Sequence, residues 1–462
     1  MTLIKNISGF RGTIGGNNLE NLTPADIVTS ISAFSRLIKE NNPNSSNLTV
    51  MTGRDGRKSG KMIQSIVNST FNSMGINVID AGLSTTPTIC WGVLNHDSVG
   101  GLMITASHNP EEYNGLKFFN SEGEFLSREH VSKLIEYSES KDHIFSSNES
   151  LGSIMEYERL IDDHVDAILN LKILPVKEIK DLNLSVSADA INSGGSIAIP
   201  KLLDRLNIKY NIINSEIKGV FNHMPEPLAE NLTDLSESIK VNKSDFGIAV
   251  DPDVDRLVFF DENGIILGEE YTQVFCSDFV LSKNKGDTVS TLSSSNALKD
   301  LTISYGQKYY STPVGEMNVV KKMKEVSSIV GGEGGGGIIY PELHYGRDAL
   351  VGIALFLALL VDKKCKVSKL KGQYSEYFMK KIKITLEDSN LIDRSFKVIA
   401  ENYSELSPNT EDGVRIDFED AWVHMRKSNT EPIIRIFAEA NSQDIADSYA
   451  LKIEKEIKSI SA

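Results

Sequence analysis

The sequence predicts an α/β protein of three related mixed α/β domains followed by a C-terminal antiparallel α+β domain. Three observations carry this. An extended apolar segment, a loop rich in Gly, Ser, Asn and Asp, a helical stretch and a second extended segment recur three times along the chain. Past about residue 370 that texture gives way to hairpin-joined strands. The 462-residue length leaves room for three or four domains at roughly 100 to 150 residues each.

In chain order, SGFRGTIGG first sets Arg11 among Gly9, Gly12, Gly15 and Gly16. The first module is LTVMTGRDGRKSG, KMIQSIVNSTFNSMG and INVIDAG, and the second is LSVSADAINSGGS, IAIPKLLDRLN and IKYNIIN. The third, weaker copy is DTVSTLSSSN, ALKDLTISYG and QKYYSTPVG. Such β-α-β pieces build sheets with helical crossovers, and their small-residue loops leave backbone N–H groups free at helix N-termini. The apolar run Ala349 to Val361 is shorter than the ~20 residues a membrane span needs and reads as a buried helix. The tail reads as the strand KKIKITLED, a helix near Ser395 to Asn402, GVRIDFEDAWVHMRKS, PIIRIFAEA and a charged helix. The domains are expected at 1–150, 151–257, 258–370 and 371–462.

Composition narrows the function classes. Lys+Arg 48 against Asp+Glu 63 gives a net charge of -15, which argues against nucleic-acid and anionic-membrane partners. Cys90, Cys276 and Cys365 are widely spaced with no C-x-x-C pair, so a reducing, cytoplasmic setting is expected. The opening MTLIKNISGFRG lacks the continuous apolar segment of a signal peptide.

FGIAVDPDVDRLVFF holds Asp251, Asp253 and Asp255 at alternate positions between two apolar segments. Alternation aims the three carboxylates to one side, where they repel unless a cation sits among them, and oxygen donors select Mg²⁺, Mn²⁺ or Ca²⁺. An EF-hand is rejected, because Arg256 stands at the sixth position, where that loop needs glycine, and the flanks read as strands. A solvated acidic turn is the plain alternative.

SSIVGGEGGGGIIYP contains G-x-G-x-x-G spacing, yet a strand rather than a helix follows, so the dinucleotide fingerprint fails; no Lys-Ser/Thr follows for a P-loop. What remains is bare backbone, Gly335 included, around Glu333. A carboxylate accepts hydrogen bonds from two adjacent sugar hydroxyls, although a flexible linker has the same composition. HMRKSNTEPIIRI sets Arg426, Ser428, Asn429 and Thr430 in a turn-prone loop able to cradle a phosphate, or merely to turn. Arg11 likewise is either a fixed guanidinium facing a phosphate or part of an ordinary glycine-rich loop.

MITASHNP places Ser107 after the strand GGLMI and before a turn at Asn109-Pro110. A lone serine there is mostly structural, and residues 105 to 109 are T-A-S-H-N rather than the hydrolase G-x-S-x-G. Adjacent His108 is poorly aimed to deprotonate Ser107. Lys117, in YNGLKFF on the next strand, can act as proton donor, proton acceptor or charge beside a phosphate.

Taken together, TASHNPEEYNGLK, DPDVDR, GGEGGGG and RKSNTEP, in that order over the whole chain, resemble the α-D-phosphohexomutases. The resemblance implies four domains around a central cleft and interconversion of hexose 1- and 6-phosphates. It implies that Ser107 carries a phosphoryl group, and that Asp251, Asp253, Asp255 and a phosphoserine oxygen of Ser107 hold one Mg²⁺. Arg256, Lys117 and Arg11 then add fixed positive charge, and His108 orients the loop or contacts the phosphate. Glu333 reads sugar hydroxyls within its glycine loop, and Arg426, Ser428, Asn429 and Thr430 grip the non-reacting phosphate. A hexose 1,6-bisphosphate is implied as intermediate and activator.

Many bacterial members read G-E-x-S-G-H where this chain has Gly335 and Gly337. This loop, SGFRGTIGG and STPVGEMNVVKKM are more similar to archaeal-like phosphoglucosamine mutases. Glucosamine phosphate is therefore the expected substrate, with mannose or glucose phosphate as alternative and a monomer or homodimer as the expected state. A non-catalytic sugar-phosphate and divalent-ion binding protein is the rival class. A serine hydrolase is disfavoured, because Ser107 lacks an evident base and oxyanion motif.

Overall fold

A computed structural model describes residues 2–45, 47–140, 142–385, 389–427 and 433–461. Each of the first three sheets contains the same four-strand core: two neighbouring parallel pairs, then an antiparallel hairpin. In the first, Thr49–Arg54 lies between Asn77–Leu83 and Gly100–Ile104, and Gly100–Ile104 pairs antiparallel with Tyr113–Phe119. In the second, Ser185–Asp189 lies between Lys209–Ile213 and Phe246–Val250, and Leu257–Phe260 closes the hairpin. In the third, Thr288–Thr291 lies between Tyr309–Thr312 and Val330–Glu333, and Gly337–Ile339 closes it. The three sequence modules are the parallel halves of these units, with crossover helices Gly60–Ser73, Gly195–Arg205 and Asn296–Ser304.

The first sheet adds the hairpin Ile4–Asn6 with Gly9–Thr13 on one edge and Ile154–Glu156 on the other. The sequence boundary at 150 thus precedes the last strand of the first sheet, and the boundary at 257 falls on the first residue of Leu257–Phe260. The C-terminal sheet is antiparallel throughout, in the order Phe378–Thr385, Ile433–Ala440, Ala421–Lys427, Val414–Asp417. Helices Ser389–Asn402 and Gln443–Ser461 belong to the same domain.

The apolar run of the sequence is the helix Ala349–Lys363, whose first twelve residues are all buried. It is apolar on every face because it fills a core shared by the second and third modules, with Phe356 stacked on Phe259 at 3.8 Å between ring centroids. Asp348 caps its start, accepting the Leu350 and Val351 N–H groups. The first module and the C-terminal domain keep cores of their own. Among the described residues no helix is long and apolar enough to cross a membrane, and the three cysteines are free.

Candidate active site

Ser107, the Asp251–Asp255 run and Glu333 with its glycines occupy equivalent places. Each lies in or beside the loop that closes the antiparallel hairpin of its module, and the three loops meet. Each loop holds a residue with left-handed backbone: Ser107 at φ 50°, Val254 at 62° and Gly335 at 88°. For Ser107 and Val254 that conformation is strained and has to be held by the surroundings.

Arg57 supplies much of that hold for the serine loop. This buried guanidinium donates to the carbonyls of Ser107 (2.6 Å), Asn109 (2.7 Å), Pro110 (2.6 Å) and Tyr113 (3.0 Å), and its Nε pairs with Asp55 at 3.0 Å. Asp55 also accepts from the Thr105 hydroxyl, which in turn accepts the Ser107 N–H. Five donors on one planar fork suit a loop whose carbonyls point inward.

The hydroxyl of Ser107 donates to Asp251 Oδ2 at 2.8 Å, bridging the first and second modules. The His108 ring also reaches it, with Nδ1 at 3.3 Å from Oγ. Burial, then Arg256 and Arg11, push the His108 pKa well below its ordinary value, so the ring is neutral. The Ser107 proton points at Asp251, and His108 is no hydrolase base.

The aspartates converge, but not by strand alternation. Residues 251–256 form a turn, and the positive φ of Val254 folds it so that the three carboxylates lie within 4.8 Å of one another, fully buried. Asp251 Oδ1 accepts the N–H groups of Asp255 and Arg256, both at 3.1 Å. Lys117, on the strand after the serine loop, donates to Asp253 (2.5 Å) and Asp255 (2.8 Å), and the Thr86 hydroxyl donates to Asp253. Burial alone would lower the Lys117 pKa, yet the two aspartates win and raise it, so it is an ammonium. Burial and the neighbouring carboxylates raise Asp251. Asp255 is also raised by burial, but Arg347 and Lys117 outweigh that and hold it well below the carboxylate range. Asp253 Oδ1 and Asp255 Oδ1 have no hydrogen-bond partner among the described residues. Three buried carboxylates with free oxygens fit a divalent cation bound by hard donors.

Glu333 ends the strand Val330–Glu333, and Gly335 sits in the turn that follows. A Cβ at Gly335 would lie 3.5 Å from Arg256 Nη1, and the Leu257 N–H donates to the Gly336 carbonyl at 3.0 Å, so the glycine loop rests on the aspartate loop. Arg256 Nη1 donates to Glu226 at 3.3 Å. Arg11 donates to Asn109 Oδ1 and to the Ser8 carbonyl, both at 3.3 Å. Burial lowers its pKa, partly offset by Asp253 and Asp255.

Sequence reasoning missed Arg347, which joins these parts. Its guanidinium meets Asp255 (2.8 Å), Glu316 (2.7 Å) and Glu333 (3.2 Å), linking the aspartate loop to the glycine loop. Glu333 also accepts the Gly315 N–H at 2.8 Å. The next N–H back, Val314, donates to Asp412 of the C-terminal domain, and Asp412 pairs with Arg426 at 3.2 Å. Arg426 therefore stands at the border of the third and fourth domains. Ser428, Asn429 and Thr430 lie outside the described residues. The tetrad Arg11, Lys117, Arg256 and Arg347 around a serine and three carboxylates can bind a phosphoryl group and steady its charge.

The chain matches known proteins along most of its length. Models for phosphoglucomutase/phosphomannomutase α/β/α domains I, II and III and for its C-terminal domain match residues 3–144, 162–264, 268–377 and 380–456. A Thermococcus kodakarensis phosphoglucomutase/phosphomannomutase is 36% identical over 448 residues, spanning 95% of this chain and 96% of that protein. A Sulfurisphaera tokodaii phosphoglucosamine/phosphogalactosamine mutase is 30% identical over 454 residues, 97% of each. The crystal structure of a phosphoglucomutase/phosphomannomutase family protein from Burkholderia thailandensis superposes with a TM-score of 0.82 at 23% identity, covering 98% of this chain and 95% of that one.

Proposed function

The chain belongs to the phosphoglucomutase/phosphomannomutase family and is a phosphohexomutase, an isomerase, and we propose that it interconverts glucosamine 6-phosphate and glucosamine 1-phosphate through phospho-Ser107. The observation that carries the mechanism is the Ser107 hydroxyl on Asp251, within a carboxylate trio faced by Lys117 and Arg347. A serine held against a cation-binding carboxylate is placed to carry a phosphate whose charge needs neutralising.

In the first half-reaction the phosphorus–Oγ bond of phospho-Ser107 breaks and a phosphorus–oxygen bond forms to the free hydroxyl of a hexose monophosphate. Lys117 gives the departing Oγ its proton and recovers one from the sugar hydroxyl, so protons balance. The resulting 1,6-bisphosphate turns over and returns its other phosphate to Ser107, leaving the isomeric monophosphate. Asp251, Asp253, Asp255 and a phosphoserine oxygen would hold one Mg²⁺, which when bound neutralises charge on the transferring group. Arg11 and Arg256 contribute fixed charge, His108 a neutral contact to the phosphate, and Glu333 with the Gly335 loop orients the sugar. Arg426 and the loop of Ser428, Asn429 and Thr430 grip the phosphate at the far end in either orientation of the sugar. A hexose 1,6-bisphosphate primes the unphosphorylated enzyme. The substrate is a small phosphosugar, and the expected setting is cytoplasmic.

The choice of an amino sugar rests on the likeness of the glycine loop to those of archaeal-like phosphoglucosamine mutases, and the name of the Sulfurisphaera tokodaii relative supports it. Glucose or mannose phosphate is the second reading, favoured by the name of the 36%-identical relative. Comparing kcat/KM for glucosamine, glucose and mannose 6-phosphates, with a 1,6-bisphosphate primer present, decides. The highest value is expected for glucosamine 6-phosphate, and a strong preference for mannose phosphate overturns the assignment.

A further inference from the structure

Behind the active site a second group of ligand-type side chains meets. His164 lies on the helix Leu160–Leu169, while His344 and Asp348 precede the helix Ala349–Lys363. One donor atom from each lies within 4.8 Å of the others, and all three side chains are buried. Both imidazole Nε2 atoms approach the same oxygen, Asp348 Oδ2, at 3.1 Å from His164 and 3.3 Å from His344. Asp348 Oδ1 is turned away and accepts two helix N–H groups.

The His164 contact is the informative one. Its Nε2 is buried and comes within 3.1 Å of the carboxylate without the alignment of a good hydrogen bond. Its other nitrogen, Nδ1, meets the Thr88 hydroxyl at 3.0 Å, and Thr88 accepts from Thr85. When Nδ1 carries the proton it donates to the Thr88 hydroxyl and Nε2 presents a lone pair to an ion, a tautomer the ring can take because a hydroxyl both donates and accepts. Trp91 stacks on the ring at 5.5 Å and fixes its plane. An imidazole held in this plane, with a second imidazole and a carboxylate oxygen beside it, is a buried set of three ligand-type atoms.

We propose that His164, His344 and Asp348 form a buried site for a zinc-class divalent ion that fastens the three α/β modules together. Two imidazoles and one carboxylate select Zn²⁺ or Co²⁺ over Mg²⁺, which demands oxygen donors, and a fourth position remains for water. The ligands come from the chain on either side of the second and third modules, and Thr88 and Trp91 come from the first, so one ion ties all three. Asp348 also follows Arg347 directly, so an ion here steadies the residue that joins Asp255, Glu316 and Glu333. The metal is structural and takes no part in phosphoryl transfer.

The untagged full chain, produced in zinc-supplemented culture so that loading accompanies folding, is passed through Mg²⁺ buffer by gel filtration. Elemental analysis then measures zinc, and X-ray absorption at the zinc edge reads its ligands. A single zinc per chain with the multiple-scattering signature of two imidazoles is expected. His164→Gln and His344→Gln should lose that zinc, while Asp251→Asn keeps it. Chain without zinc, or zinc held without imidazole scattering, overturns the proposal on the wild-type protein alone, whatever the folding of the variants.

Discussion

Arg347→Ala tests the joint between the aspartate loop and the glycine loop. The guanidinium touches three carboxylates at 2.7 to 3.2 Å, and none of the four side chains is more than 12% exposed. Its removal takes a cation from Asp255, Glu316 and Glu333 together, with Lys117 still on Asp255. Losing one partner of a buried ion pair costs about 3 to 5 kcal/mol. If that cost is felt in the transition state, kcat/KM falls by roughly two to four decades. Arg347→Lys keeps a charge but not the planar fork that serves three partners, and an intermediate loss follows. The assay is mutase turnover with a bisphosphate primer, alongside the thermal midpoint of each variant. An Arg347→Ala protein with wild-type kcat/KM and an unchanged midpoint would refute the reasoning.

Other perturbations follow from the same contacts. Lys117→Met removes the ammonium that sits on Asp253 and Asp255, so calorimetry should show tighter Mg²⁺ binding while turnover drops on the order of 100-fold; weaker Mg²⁺ binding would contradict the assignment of those carboxylates. Gly336→Ala and Gly335→Ala both place a side chain at positive φ, but a Cβ at Gly336 also runs into the Leu257 carbonyl, whereas Gly335 has only Arg256 at 3.5 Å. Denaturant titration should show about 1 to 2 kcal/mol lost at Gly335 and clearly more at Gly336. His424 bridges Ser293 and the Asp412 carbonyl between the third and fourth domains, and burial lowers its pKa to about 4. It is neutral in the folded chain, so its contribution is full above pH 6.5 and falls, by up to about 3 kcal/mol, as pH drops toward 4 and the unfolded chain takes up the proton. Stability measured at pH 7.5 and 5 should fall less in His424→Gln than in wild type; parallel losses would remove this histidine from the account.

The three modules were legible because each alternates extended apolar segments with a small-residue loop and an amphipathic helix, a pattern local to about 30 residues. Ser107, Lys117, the aspartates and Glu333 were legible because each sits in a short stretch of unusual composition. Arg347 was not, since its partners lie 14 to 92 residues away and nothing in GRDAL marks a guanidinium that joins two loops. Arg57 was hidden for a related reason, because its donors serve backbone carbonyls, which leave no trace in side-chain identity. His164, 180 residues before His344, belongs to no motif at all. The equivalence of the three hairpin loops likewise emerges only from strand order. Alternate spacing anticipated the convergence of the aspartates, but a turn with left-handed Val254, not strand alternation, brings them together.

The central claim is that Ser107 is the phosphoryl carrier. Intact-mass analysis with peptide mapping, after incubation with a hexose 1,6-bisphosphate, tests it most directly. The account predicts one phosphoryl group on the peptide containing Ser107, absent from Ser107→Ala together with mutase activity. A Ser107→Ala protein that still turns over hexose phosphate at the wild-type rate, or a phosphoryl group mapped elsewhere, would contradict it.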